Sequence, residues 1–205
     1  MSTLDVRSLA CSRGDTRLFR DVSFTLVPGE CLAVRGANGS GKTTLLRCIA
    51  GLTRADSGGL TWNGKPMTDV AAEFRAAMVY SGHAAGIKDD LTAAENLRDA
   101  LALRGTKAEG GVIDDALKQV GLGKHRRIPA RRLSAGQRRR IGMARLSLDP
   151  ASCWILDEPL TALDAEGEAL FASLLEGHLQ RGGWALVATH HDIGGTKPRE
   201  MRLAP

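Results

Sequence analysis

The 205-residue sequence predicts an α/β protein: a core of strands and helices, an N-terminal antiparallel β unit, and an inserted helical segment. Three observations lead there. A glycine-rich run, Gly36-Ala37-Asn38-Gly39-Ser40-Gly41-Lys42-Thr43, stands between an apolar strand pattern and an apolar helix pattern. Strand patterns recur towards both ends of the chain. Between them, residues from about 84 to 149 carry helical periodicity.

Taken in order, strands are expected at Leu4 to Ala10, Asp21 to Val27 and Glu30 to Arg35. The alternation Val22-Ser23-Phe24-Thr25-Leu26 fits an antiparallel strand with one buried face. Pro28-Gly29 is a turn pair that introduces the third strand. The helix after the glycine-rich run covers Thr44 to Ala50 and is closed by Gly51. Leu60-Thr61-Trp62 before Asn63-Gly64, and Ala77 to Ser81, read as further strands. Thr92-Ala93-Ala94-Glu95 is a capping box opening a helix with Ala94, Leu97 and Leu101 on one stripe. Gly110-Gly111 breaks that pattern, and Val112 to Val120 forms a second helix stopped by Gly121. Ser134 starts a third, with Ile141, Ala144 and Leu148 at helical spacing. Strands return at Cys153 to Leu156 and Ala185 to Ala188, separated by a helix from about Asp164. The expectation is one domain over 1–205, with its core at about 1–83 and 150–205 and the helical insert at about 84–149. No further regulatory domain is expected after Met201 to Pro205.

A hydrophobic share of 43% is enough for a real core. No stretch approaches the roughly 20 apolar residues of a membrane span. The start Met1-Ser2-Thr3-Leu4-Asp5 has neither a basic nor an apolar secretory run, so a cytoplasmic location is expected. Cys11, Cys31, Cys48 and Cys153 lack metal or redox spacing and read as reduced, small hydrophobes. The net charge of +5 is uneven: Arg104 to Arg140 holds eleven basic residues against three acidic ones. Three readings of that basic face stay open: a nucleic-acid surface, a face towards anionic headgroups or an acidic partner, or a solvated face. Nucleic acid is disfavoured because no aromatic interleaves the charges.

The glycine-rich run fits the phosphate-binding loop G-x-x-x-x-G-K-T/S, and its chemistry explains its residues. Gly36, Gly39 and Gly41 let the backbone bend tightly and approach a ligand closely. The N–H groups from Ala37 to Thr44 can then cradle phosphates at a helix start. Lys42 brings an ammonium to the β- and γ-phosphates, and the Thr43 hydroxyl suits Mg²⁺.

Leu133-Ser134-Ala135-Gly136-Gln137 stands far along the same chain and matches L-S-x-G-Q, the signature of the ATP-binding cassette (ABC) ATPases. The chain resembles that family, and the resemblance implies an ABC-type P-loop NTPase fold with ATP and Mg²⁺ bound. Cys153-Trp154-Ile155-Leu156-Asp157-Glu158 resembles the family's Walker B strand. An apolar strand ending in two carboxylates is costly without a cation. Asp157 would hold Mg²⁺ through water, and Glu158 would act as general base. Taken alone, the pair can also be read as a solvated acidic turn. Thr161-Ala162-Leu163-Asp164 falls at the D-loop, and Ala188-Thr189-His190 at the switch histidine, with strand register favouring His190 over His191. Ser134 and Gly136 would act in trans on the γ-phosphate held by a second copy, so two ATPs are expected between two protomers.

Two positions depart from the general ABC pattern. Cys11-Ser12-Arg13-Gly14 replaces the adenine-stacking aromatic, and Arg13 reads either as a guanidinium stacked on the base or as a solvated loop residue. His83 falls at or near the place of the Q-loop glutamine, where its charge would depend on pH. Gly82-His83-x-x-Gly86-Ile87-Lys88, Leu91-Thr92-Ala93-x-Glu95-Asn96-Leu97, Leu18-Phe19 and Trp154 to Pro159 together resemble the cytochrome c maturation ATPases, the CcmA family. Ala84 stands where members commonly carry Gln.

The resemblance implies a peripheral ATPase on the cytoplasmic face of the bacterial inner membrane, docked on integral subunits of CcmB/CcmC type through a groove around His83 to Leu91. It implies haem export or, in the alternative account, release of a haem-loaded chaperone outside the membrane. No Cys-x-x-Cys-His occurs, so no direct haem binding by this chain is expected. The rivals are the ATPase of another small ABC exporter, a soluble ABC ATPase acting on nucleic acid or ribosomes, and a non-hydrolysing module. Glu158 and His190 argue against the last.

Overall fold

A computed structural model describes residues 2–82, 86–106 and 110–203. The elements run β1 (Leu4–Arg13), β2 (Thr16–Leu26), β3 (Cys31–Arg35), α1 (Lys42–Ile49), β4 (Ser57–Trp62), β5 (Lys65–Pro66), α2 (Met67–Ala77) and β6 (Met78–Ser81). Then come α3 (Ala93–Leu103), α4 (Gly110–Gln119), α5 (Ala135–Leu148), β7 (Cys153–Asp157), α6 (Ala165–Gln180), β8 (Trp184–Ala188) and β9 (Arg199–Arg202).

Two sheets result. An antiparallel sheet has the order β2-β1-β4-β5. A second sheet has the order β6-β7-β8-β3-β9, with every described pairing parallel. Period-two alternation divides the central strands between two apolar clusters. Cys153, Ile155, Trp184, Leu186, Leu32 and Val34 join α1 and the antiparallel sheet on one side. Trp154, Leu156, Ala185 and Val187 face the other side, with Leu97, Leu117, Ile141 and Phe171 of the helices. These strands are apolar on both faces because both faces are covered.

The strand after the turn pair, the helix after the glycine run and the capping box all form as the sequence predicts. Thr92 accepts from the Glu95 amide while the Glu95 carboxylate accepts from the Thr92 amide at 2.8 Å. Other boundaries differ. The β1–β2 hairpin runs longer than expected, because Cys11↔Phe19, Ser12↔Arg17 and Arg13↔Thr16 pair through the backbone where side chains show no apolar alternation. Gly110 and Gly111 are the first residues of α4 rather than a spacer before it. Three elements escape the sequence patterns, the two-residue β5 among them. Helix α2 breaks helical geometry at Val70 and buries only Val70 and Phe74, so it carries no full apolar stripe. Strand β9, Arg-Glu-Met-Arg, is a charged edge strand.

One arginine ties the helical segment to the parallel sheet. Arg104, which follows α3, donates from Nε and Nη2 to both Asp149 oxygens at 2.9 and 2.8 Å. It also donates to the carbonyls of Arg75, Ala76 and Met78, at the junction of α2 and β6. The Asp149 side chain is 1% exposed, so removing Arg104 would strand a buried charge.

Candidate active site

The phosphate loop joins β3 to α1. Gly36 is required by space: a Cβ there would lie 2.6 Å from Ser40 Oγ and 2.9 Å from the Leu203 carbonyl. Helix α1 begins after Gly41 with no side-chain cap, so its first N–H groups remain available to an anion. Lys42 is only 7% exposed and folds back on its own loop, donating to the Gly36 and Ala37 carbonyls at 2.8 and 3.2 Å. Thr43 is exposed and lines the same cleft as Asn38, Gly39, Gly41 and Thr44.

The cleft, of about 860 Å³, has the size of a nucleotide site. Its far wall is Asp157, Glu158 and His190. Asp157 is the last residue of β7 and 2% exposed. Glu158 follows in the left-handed region, at φ 50°, with its amide donating to the Ala188 carbonyl at 2.8 Å. That turn aims consecutive carboxylates differently, at a strain that a site can store. His190 Nδ1 lies 3.0 Å from Glu158 Oε2. His191, its ring centre 4.2 Å from that of His190, contacts Glu168 of α6 at 3.6 Å. Arg139 of α5 is half-buried near the two carboxylates: burial lowers its pKa while the charges of Asp157 and Glu158 oppose that shift. Burial first, and then the charge of Asp157, raises the pKa of the Tyr80 hydroxyl.

Of the signature, Ser134, Gly136 and Gln137 line a second cleft of about 470 Å³ that shares no wall with the first. Ser134 caps α5, accepting from the Gln137 amide at 3.1 Å, and Gln137 Oε1 accepts from the Ser134 amide at 2.9 Å. Ser134 and Ala135 are exposed, and Leu133 is buried beneath them. Gly136 packs on the D-loop, where a Cβ would meet the Ala162 carbonyl at 2.8 Å. Leu163 and Asp164 complete this cleft. Asp164 caps α6 through the Gly167 amide at 2.9 Å and pairs with Arg140 at 2.8 Å. The Gly167 amide, followed by Arg140, holds its carboxyl below the usual carboxylate range.

Arg13 is exposed and lines the nucleotide-sized cleft together with Cys11, Ser12, Arg47 and Arg54. His83 and Ala84 lie outside the described residues. The segment after them is pinned by buried Asn96. Its Oδ1 accepts from the Lys88 amide at 2.7 Å, and its amide donates to the carbonyls of Lys88, Leu91 and Thr92. Asp89 of that segment pairs with Arg138 at 3.2 Å, and Asp90 pairs with Arg131.

Much of the basic stretch is thus neutralised internally: Arg104, Arg126, Arg131, Arg138 and Arg140 all have acidic partners. That favours the solvated-face reading over a nucleic-acid surface. All four cysteines are buried and free, and burial pushes the Cys31 and Cys48 thiols up to about 12. Among the described residues no helix is long and apolar enough to cross a membrane. Two arginines of this framework were not singled out from the sequence, Arg104 and Arg35. Their signal was present: Arg35 is the one charged residue of an otherwise apolar strand, directly before Gly36.

Comparisons with known proteins place this geometry. A family model described as ABC transporter matches residues 19–161. The cytochrome c biogenesis ATP-binding export protein CcmA of Methylococcus capsulatus is 51% identical over 190 residues, covering 93% of this chain and 92% of that protein. The protein of the same name from Pseudomonas aeruginosa is 43% identical, covering 98% of both chains. Among solved structures, an ABC transporter ATP-binding protein from Pyrococcus furiosus superposes with a TM-score of 0.85 at 23% identity, over 98% of this chain and 97% of that one. A dimeric ATP-binding cassette bound to ADP and Pi superposes with a TM-score of 0.80 at 22% identity, over 92% and 88%. With an ABC family model across most of its length and relatives of up to 51% identity over nearly all of it, the chain belongs to the CcmA family of ABC ATP-binding proteins.

Proposed function

We propose that the chain is the ATP-binding and ATP-hydrolysing subunit of a bacterial inner-membrane ABC complex in cytochrome c biogenesis. The complex would serve haem export or the release of a haem-loaded chaperone. The observation that carries the reading is the convergence of Lys42, Asp157, Glu158 and His190 on one cleft, while Ser134 and Gly136 face another. The relatives' shared name, an ATP-binding export protein of cytochrome c biogenesis, supports the biological setting.

In this reading the loop from Gly36 to Thr44 holds the phosphates through backbone N–H groups and the start of α1. Lys42 exchanges its two loop carbonyls for phosphate oxygens. Mg²⁺ fits the residues present: the Thr43 hydroxyl and the Asp157 carboxylate are hard oxygen donors on one cleft. Among the described residues there is no group of three or more His, Cys, Asp or Glu that could hold a metal. The ion would therefore take its remaining ligands from phosphate and water, as Mg²⁺ commonly does. It would supply charge neutralisation at the transferring phosphoryl group. Glu158 accepts a proton from the attacking water, and His190 contacts the γ-phosphate. His83 would serve as the Q-loop substitute, and Arg13 would stack on the base. Ser134 and Gly136, with Leu133, Ala135 and Gln137 around them, close over the γ-phosphate of a second protomer, and Leu163 and Asp164 line that interface. The chain works as one domain, a core at about 1–83 and 150–205 with a signature-bearing insert at about 84–149. It sits peripherally on the cytoplasmic face, docked on CcmB/CcmC-like subunits, with no haem site of its own.

Co-purification from native membranes tests this, using Glu158→Gln to hold the ATP-bound state. The expected outcome is a membrane fraction containing integral subunits and haem, with the chain dimeric in ATP and Mg²⁺. Recovery of the chain only from the membrane-free fraction, as a monomer with ATP and Mg²⁺, would refute the reading.

A further inference from the structure

The guanidinium of Arg35 is more fully engaged than any role at a strand end requires. It is 14% exposed, and all three of its nitrogens are in use. Nη1 donates to the Thr189 carbonyl at 3.3 Å and to the His191 carbonyl. Nη2 donates to Asp192 Oδ1 at 3.3 Å and to Glu200 Oε1 at 2.9 Å. Nε donates to the same Glu200 oxygen at 3.1 Å. Thr189 and His191 are the two neighbours of His190, so one side chain holds the peptide on both sides of that residue. Arg35 is itself followed by Gly36, the first residue of the phosphate loop. Its own backbone is fixed on the edge by Leu203, whose amide donates to the Arg35 carbonyl at 2.8 Å.

We propose that Arg35 is a positioning residue that sets the distance between His190 and the phosphate loop, so that hydrolysis, but not nucleotide binding, depends on it. The proposal rests on the reading of His190 as the γ-phosphate contact. Its physical content is geometric. His190 has a 60% exposed side chain on a short connection, held by its 3.0 Å contact with Glu158. Without a clamp on its backbone, the imidazole would sample positions off the line between Glu158 and the phosphate. Hydrogen bonds from a charged fork to two carbonyls and two carboxylates supply that clamp, and a fork does so with more directional control than an ammonium. Glu200 anchors the other end on β9, so the clamp spans β3, the segment after β8, and the edge strand.

The test is a double-mutant cycle on ATP turnover by the full-length chain. Arg35→Gln should lower kcat by about tenfold, the order expected for misplacing a catalytic group by a fraction of an ångström, while KM for ATP stays within twofold. Arg35→Lys, which keeps the charge but loses the fork, should fall between Arg35→Gln and the unaltered protein. In a His190→Ala background Arg35→Gln should cost nothing further. An equal loss in both backgrounds, or a raised KM with kcat kept, overturns the proposal. If Arg35→Gln does not fold, Arg35→Lys carries the same cycle. The two possible failures separate. Full turnover by His190→Ala removes the reading of His190, and with it any clamp acting through it. An inactive His190→Ala beside a fully active Arg35→Gln removes the clamp alone.

Discussion

Two helix starts in this molecule, those of α1 and α5, are prepared in opposite ways. Helix α1 opens after Gly41 with no side-chain cap, and its loop glycines keep Cβ atoms out of the way. Helix α5 opens on a closed capping box in which Ser134 and Gln137 satisfy each other's amides at 3.1 and 2.9 Å. The first start is incomplete without an anion. The second is complete within the protomer and presents an exposed serine that can turn outward. The proposed function gives this difference a use: one surface would capture a nucleotide, and the other would be brought to it only when two protomers meet. A capping box contributes about 1 kcal/mol to its helix, so α5 keeps its shape in a lone protomer, and the uncapped α1 gains most from ligand.

Variants can break that comparison. The largest effect is expected from Lys42→Ala, which removes the charge on the capture side: ATP hydrolysis should be lost, and unchanged turnover would dismiss the loop as the phosphate site. Ser134→Arg comes next, acting on the other helix start. It should abolish hydrolysis while nucleotide affinity of the same subunit, read by equilibrium binding of a labelled ATP analogue, stays within about twofold, since the two clefts share no wall. Weakened binding in that subunit would place both helix starts in one site.

The smallest effect sharpens the contrast through pH. Ser134 and Gln137 carry no ionisable group, whereas the strand bearing the cleft carboxylates rests on one. His178 stacks on Trp154 of β7 with ring centres 3.9 Å apart, and its Nε2 lies 3.0 Å from the Trp184 carbonyl. Burial lowers its pKa from 6.5 to about 4. The unfolded chain therefore takes up this proton below pH 6.5, and the folded chain does so only near 4. Folding stability should fall as pH falls across that window, by up to about 3 kcal/mol from this group. Urea unfolding followed by tryptophan fluorescence reads it, because Trp62, Trp154 and Trp184 all lie outside the helical insert. His178→Gln should be less stable at neutral pH and lose most of the acid slope. A slope unchanged in that variant would assign it to other groups.

The parts legible in the sequence were those whose chemistry is local. A loop that must approach phosphate needs Gly36, Gly39 and Gly41 in a fixed spacing, and a capping box needs Thr92 and Glu95 three residues apart. An apolar strand ending in Asp157 and Glu158 announces a charge that must be used. Helix α2 was hidden because it is kinked at Val70 and only partly buried. Strand β9 was hidden because its edge position suits charged side chains. The basic stretch stayed open for the same reason: the count of arginines is visible along the chain, while their partners, Asp89, Asp90, Asp149 and Asp164, are brought close only by folding.

Sequence alone therefore determined the loop, the helix caps and most of the strands, because each depends on spacings of a few residues. It also carried the family. Tertiary structure decided which distant groups meet: His190 against Glu158, Arg104 against Asp149, and Arg35 against the backbone around His190. Those contacts join residues tens to more than a hundred positions apart, and no local periodicity encodes such a distance. The contacts of His190 and Arg35 form where the parallel sheet lays the ends of β3, β7 and β8 side by side, and that of Arg104 where the helical segment meets the start of β6.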